Sequence, residues 1–139
     1  MTSPDHAELE AGPRAAAIST AMVRLLHEYT GRGPTRARTT LDDDLIVCVL
    51  ADTLTSSERK LVSGGEERLV LEQRSTFQRL MRDEAVDAIE RLTGRKVAAF
   101  MSNNHIDPDV AVETFVLAGQ HGTPRPADAL AETQSGWPT

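Results

Sequence analysis

The stretch that decides the fold is Gly31-Arg32-Gly33-Pro34-Thr35-Arg36-Ala37-Arg38-Thr39-Thr40-Leu41-Asp42-Asp43-Asp44-Leu45-Ile46-Val47-Cys48-Val49-Leu50. It reads as a helix stop, a strand, an acidic turn and a second strand. Gly31 and Gly33 can take the left-handed backbone that closes a helix, and Pro34 cannot continue one. Ala37, Thr39 and Leu41 alternate with Arg36, Arg38 and Thr40, so one face of the first strand is dry and the other wet. Asp42, Asp43 and Asp44 supply turn chemistry. Leu45 to Leu50 is apolar throughout, the pattern of a strand covered on both faces. This hairpin is the expected centre of the fold.

Upstream, Ile18, Met22, Leu25, Leu26 and Tyr29 recur at helical spacing, which predicts a helix from about Arg14 to Thr30 with Arg24, His27 and Glu28 towards water. Residues 1–13 are polar and carry Pro4, Gly12 and Pro13, so they read as a disordered tail. Downstream, Thr55 and Glu58 stand at capping-box spacing and open a short helix that ends near Ser63, before Gly64-Gly65. A long helix follows from about Glu66 to Thr93, with Phe77, Leu80, Met81, Ala85, Ala88, Ile89 and Leu92 inward, and Gly94 ends it. Lys96 to Asn104 is the third strand. Asp107-Pro108-Asp109 marks a turn, and Val110 to Leu117 is the fourth strand, with Val110, Val112 and Val116 on one face. Residues 118–139 lack usable periodicity and read as a second disordered tail, leaving one domain over 14–117.

The two halves align at an offset of 63 residues: Thr30-Gly31-Arg32 meets Thr93-Gly94-Arg95, Asp44 meets Asp107, and Ile18, Met22 and Leu26 meet Met81, Ala85 and Ile89. Two readings stay open, shared turn residues or a duplicated helix–hairpin unit. Both predict an α+β fold in the order α-β-β-α-α-β-β. The chain becomes a two-layer sandwich, with a four-stranded, mostly antiparallel sheet and helices on one face.

Composition bounds the function. A hydrophobic share of 40% and a charged share of 26% describe a soluble globular chain. A net charge of -6 and a pI near 5.2 argue against phosphate-backbone binding, and 4% aromatics against base stacking, so nucleic acid is not an expected partner. The lone Cys48 fits a reducing compartment. No apolar run approaches the ~18 residues of a membrane span, and residues 1–13 lack the apolar core of a signal peptide. The expectation is a cytoplasmic protein.

Few constellations suggest chemistry. Arg32, Arg36 and Arg38 follow a helix end rather than precede one, which is the wrong end for an anion site. They are a solvated strand face or a contact for an acidic partner. Asp42, Asp43 and Asp44 could attract a hard cation, but consecutive acids point apart and a turn explains them. His105, Asp107 and Asp109 offer a metal-type ligand mixture at alternate positions, against a hairpin turn built around Pro108. Cys48 reads as a small core hydrophobe. There is no nucleophile elbow, Cys–His pattern or phosphate-binding loop, and no cofactor is expected. Leu69, Val70 and Leu71 cannot all face one side of a helix. They are therefore candidates for a contact with a partner or with a second copy in a homodimer. The alternative is that the short helix folds back and covers them with Leu61 and Val62.

From about Ile18 to Leu117 the chain resembles the MpsC domain family. The resemblance rests on Gly31-Arg32-Gly33-Pro34, on Asp43-Asp44-Leu45-Ile46-Val47, and on Leu54-Thr55 with Glu58 and Leu61. Thr93-Gly94-Arg95-Lys96-Val97 and Val112-Glu113-Thr114-Phe115-Val116-Leu117 complete it. The resemblance implies a small accessory component of a sodium-translocating, membrane-potential-generating system linked to cation and inorganic-carbon uptake. It would be held at the inner face of the membrane by transport subunits, and no catalytic residues come with the family. Three functions follow as expectations. The first is a non-catalytic accessory or regulatory protein acting by protein–protein interaction. The alternatives are a small-molecule or ion sensor near the acidic turns and an enzyme with a titratable pair in a cleft.

Overall fold

The central hairpin forms where its alternation places it, and the rest of the chain is arranged about it. The structure, a computed structural model, describes residues 6–119, with side chains from residue 12 onward. The elements in order are α1 (His6–Thr30), β1 (Arg36–Asp42), β2 (Leu45–Ala51), α2 (Ser56–Ser63), α3 (Glu67–Thr93), β3 (Val97–His105) and β4 (Val110–Leu117). This is the expected α+β order. Of the disordered tails expected over 1–13 and 118–139, residues 1–5 and 120–139 lie outside the described residues, and residues 6–13 are helical instead. α1 thus starts at His6 rather than near Arg14. Ala7-Glu8-Leu9-Glu10-Ala11 has high helix propensity and carries the helix past Pro13.

The sheet is antiparallel in the order β1-β2-β4-β3. Each hairpin stays together, and β2 joins β4 at the middle, Cys48 opposite Glu113. That order is the one two helix–hairpin units adopt about a pseudo-twofold axis normal to the sheet. The registers refine the alignment of the halves. The β1–β2 turn holds two residues and the β3–β4 turn four, so the geometric counterpart of Leu45 is Val110, and that of Cys48 is Glu113. An offset of 63 serves the helices and first strands. Beyond the turn two residues must be added.

α1 and α3 cover one face of the sheet. Ile18, Met22, Leu25 and Leu26 of α1 meet Met81, Ala85, Ala88 and Ile89 of α3 above Ile46, Cys48, Leu50, Ala111, Phe115 and Leu117. Burying each large aliphatic side chain contributes about 1.5–3 kcal/mol. Gly31 and Gly94 close the helices at φ 80° and 71°, where a Cβ would be strained.

Two expectations about the strands change. β2 is covered on one face only: Ile46, Cys48 and Leu50 are buried, while Leu45 and Val49 are 41% and 36% exposed. The continuous apolar run therefore marks a strand with an apolar outer face, not one between two layers. In β3 a register irregularity between Val97 and Ala99 breaks the alternation, so Val97 and Phe100 both pack on the core.

α3 spans about 40 Å at ~1.5 Å per residue and outruns the sheet at its start. There α2 folds back, as the Thr55–Glu58 capping box directs. A second small core of Leu54, Val70 and Ile106, with Leu61 and Val62 against it, fills the angle. Glu58 and Arg74, 0% and 2% exposed, lock it. Arg74 grips Glu58 through Nη2 at 2.5 Å and Nε at 2.9 Å, and also donates to the Thr53 carbonyl at 2.6 Å. Gln73 and the Thr55 N–H donate to the same carboxylate. Burial pushes the Glu58 carboxyl up, but the Arg74 bond and the Thr55 donors outweigh it and hold the group below its ordinary pKa.

Replacing Arg74 by Met leaves Glu58 buried and unpaired. We expect a loss of about 3–5 kcal/mol in urea unfolding at neutral pH. Because the folded pKa of Glu58 is depressed, its contribution is present above its unfolded pKa and is lost as pH falls through the folded value. The gap between wild type and Arg74→Met should therefore narrow in acid. A gap independent of pH would contradict the assignment.

Candidate functional site

Where β2 leaves the sheet, charged side chains converge. Asp52 sits at φ 61°, in the left-handed region that Asp tolerates better than most residues. Its N–H donates to the Asp109 carbonyl. The Asp109 carboxylate then accepts from the Thr53 N–H at 3.0 Å, the Thr53 hydroxyl at 2.9 Å and the Leu54 N–H at 2.9 Å. Asp52 lies between Arg32, at 2.6 Å, and Arg59. Burial pushes its carboxyl up, but the two guanidiniums outweigh this and keep it below the usual carboxylate range. A cavity of about 550 Å³ opens beside this cluster, with Arg36, Asp52, Arg59, Asp107 and Val110 in its wall.

The proposed metal ligands do not converge. His105 Nδ1 pairs with the Pro108 carbonyl at 2.9 Å, Asp107 is exposed on the turn, and both Asp109 oxygens are engaged with Thr53 and Leu54. Among the described residues no group of three or more His, Cys, Asp or Glu side chains is placed to hold a metal ion. The acidic triplet is likewise dispersed: Asp43 takes φ 54° in the turn, and Asp44 receives Arg95 at 2.5 Å.

The arginines divide. Arg32 is tied to Asp52, whereas Arg36 and Arg38 are exposed on the outer face of β1. The three adjacent apolar residues of α3 divide too. Leu69 and Leu71 are 46% and 36% exposed, but Val70 is fully buried beneath Leu54 and Ile106 and is withdrawn as a contact residue. Leu80, expected on the inner face of α3, is 60% exposed, three turns along the same side as Leu69.

Two features went unread in the sequence. Inside the core, Thr39, Cys48, Glu113 and Ser102 form one row across all four strands, and Ser19 reaches Thr39 at 2.8 Å. Burial pushes the Glu113 carboxyl up to about 7, with Ser102 acting in the opposite sense. Burial also pushes the Cys48 thiol up to about 11, so it is a protonated core group and not a nucleophile. The signal was the alternation of β4: its inward set is Ala111, Glu113, Phe115 and Leu117, which puts one acid among apolar residues. The second feature is the outer sheet face, where β2 and β4 present Leu45, Val47, Val49, Ala51, Val110, Val112, Thr114 and Val116 side by side. No described element covers it.

Fold and surfaces describe a small α+β protein with an internal pseudo-twofold and no membrane-spanning helix among its described residues. The chain belongs to the MpsC family, whose model, described as a Na+-translocating membrane potential-generating system, matches residues 10–119. It is similar to the uncharacterized protein YrhF of Bacillus subtilis (strain 168), with 28% identity over 96 residues, 68% of this chain and 79% of that protein. No solved structure matches it.

Two outcomes follow from this geometry. Asp109→Ala strips partners from two backbone N–H groups and a buried hydroxyl and should cost about 2–4 kcal/mol in denaturant unfolding. Asp107→Ala should cost under about 0.5 kcal/mol. Equal effects, or a melting temperature raised by added zinc or magnesium in the wild type alone, would contradict the turn assignment.

Glu113 has a raised folded pKa. The stability linked to its proton is complete below the unfolded value near 4.5 and is lost as pH rises through about 7. Glu113→Gln should therefore stabilise the protein above pH 7 by up to about 3 kcal/mol and flatten its pH profile between these values. An unchanged profile would contradict it.

Proposed function

We propose that this protein is a non-catalytic accessory or regulatory component of a membrane-potential-generating system and that it acts by binding other proteins. The family description supports the system. The observation that supports the mode of action is apolar side chain left uncovered on α3: Leu69 and Leu80 stand in water on one side of the helix, 46% and 60% exposed. Isolated exposed leucines are ordinary, but two large ones in line along one side of a helix make a stripe that a partner would dry. In this reading other subunits form the path through the membrane, and the protein docks on them from the cytoplasmic side.

A second reading, small-ligand or ion sensing near the acidic turns, draws on the cavity beside Asp52, whose wall carries Asp52, Asp107 and Asp109 with Arg36 and the Asp52-bound Arg59.

Co-expression with the membrane subunits of its own system decides the first. The tagged chain should co-purify with them in mild detergent, and Leu69→Asp with Leu80→Asp should abolish this without altering the circular dichroism spectrum. Recovery free of subunits under conditions where those subunits are present and folded would overturn it.

A further inference from the structure

The outer face of the sheet is as apolar at its centre as the inner one. The four cross-strand rows on that face are Arg36–Ala51–Val110–His105, Arg38–Val49–Val112–Asn103, Thr40–Val47–Thr114–Met101 and Asp42–Leu45–Val116–Ala99. The two inner columns, from β2 and β4, are aliphatic at every place but Thr114. Leu45, Val49 and Met101 are 41%, 36% and 47% exposed. Polar residues stand at the rim, with Arg36 and Asp42 at opposite ends of the edge strand β1, both exposed.

That arrangement is self-complementary in one orientation. Two such faces can stack about a twofold axis lying between them and running across the strands. The first row then meets the fourth row of the copy, and the second meets the third. Arg36 falls over Asp42 of the copy, and Asp42 over its Arg36, giving two ion pairs at the rim. Ala51 falls over Leu45 and His105 over Ala99, so small side chains face large ones. Val49 meets Val47, and Val110 meets Val116. An axis running along the strands would instead set Arg36 against His105 and leave Asp42 over Ala99, without charge pairing. Aligned stacking of sheets about 10 Å apart accommodates the first arrangement.

We propose that this face is the contact of a homodimer, two sheets packed face to face about a twofold axis across the strands, with Arg36 of each copy paired to Asp42 of the other. The dimer is a four-layer sandwich, helices outside and sheets within. Four strands ~4.8 Å apart and seven residues long at ~3.4 Å cover about 450 Å² in projection, so two copies lose on the order of 900 Å² before side-chain relief. Stable interfaces bury about 1,200–2,000 Å², so a contact of this size belongs with weak, reversible dimers. α3 with Leu69 and Leu80 stays free on the outside, so this contact and the partner surface above are independent.

Light scattering of the purified full chain across concentration tests this. A dimer that dissociates on dilution is expected, and Val49→Lys should raise its dissociation constant at least about tenfold. Met101→Lys, at the edge of the face, should act in the same direction and guards against misfolding of the first variant. Arg36→Asp and Asp42→Arg should each weaken the dimer, and the two combined in one chain should restore it, because the ion pairs re-form with reversed polarity. A monomer at millimolar concentration overturns the proposal. So does a dimer that removal of residues 120–139 alone creates, since the face then belongs to the chain's own C-terminal segment. A dimer insensitive to Val49→Lys but dissolved by Leu69→Asp places the contact on α3 and overturns it as well. Absence of a double-charge rescue rejects the axis and with it the stated pairing.

Discussion

The pairing of β2 with β4 holds this structure together. In the order β1-β2-β4-β3, the two helix–hairpin halves share a sheet only along that ladder, from Leu45 opposite Val116 to Ala51 opposite Val110. A slip of one residue would turn Ile46, Cys48 and Leu50 outward and Leu45, Val47 and Val49 inward. For most sheets such a slip would expose the apolar set to water and bury a polar one. Here both sets are apolar, so composition discriminates weakly. The register is pinned instead by groups at its two ends: the Asp109 carboxylate over Thr53 and Leu54 with the Asp52 N–H on the Asp109 carbonyl at one, and Arg95 across Asp44 at the other.

The same ladder explains why charged groups gather at its two ends. α1 and α3 each close with a glycine followed by an arginine, and each arginine ties down the end of a strand, Arg95 reaching across to the other half. Arg32 finds Asp52, and Arg95 finds Asp44 with the Ala118 carbonyl. Partly exposed ion pairs of this kind contribute little each to stability, about 0–1 kcal/mol, and their effect is on register and orientation. Glu58 and Arg74 differ because they are buried. Removing one partner strands a charge, so the angle between α2 and α3 depends on both. That angle dries Val70 while Leu69 and Leu71 stay wet, and it thereby sets which part of α3 another protein can reach.

Much of the fold was legible in the sequence. Gly31, Gly94, the Thr55–Glu58 capping box and the acidic turn each act through their own backbone, so local chemistry placed the ends of α2, β1 and β2 and the closing turns of α1 and α3. The candidate site was much less legible. His105, Asp107 and Asp109 look like ligands in a line of text. Asp109, though, is bound to Thr53 and Leu54, over fifty residues away, and that contact exists only because β2 and β4 are neighbours.

The sequence by itself determined the elements, their order and the membership of one family, because helical and strand periodicity, caps and turns are properties of short stretches. Tertiary structure alone decided which apolar face of β2 and β4 became core. Ile46, Cys48 and Leu50 hardly differ from Leu45, Val47 and Val49 in their attraction to oil or water. The choice fell to whichever set faced α1 and α3, once the turns had fixed the side from which those helices arrive. It likewise put Glu113 inside and three valines of β4 outside, against the apparent preference of the residues taken singly. Burial belongs to the assembled layers, and no single stretch carries it.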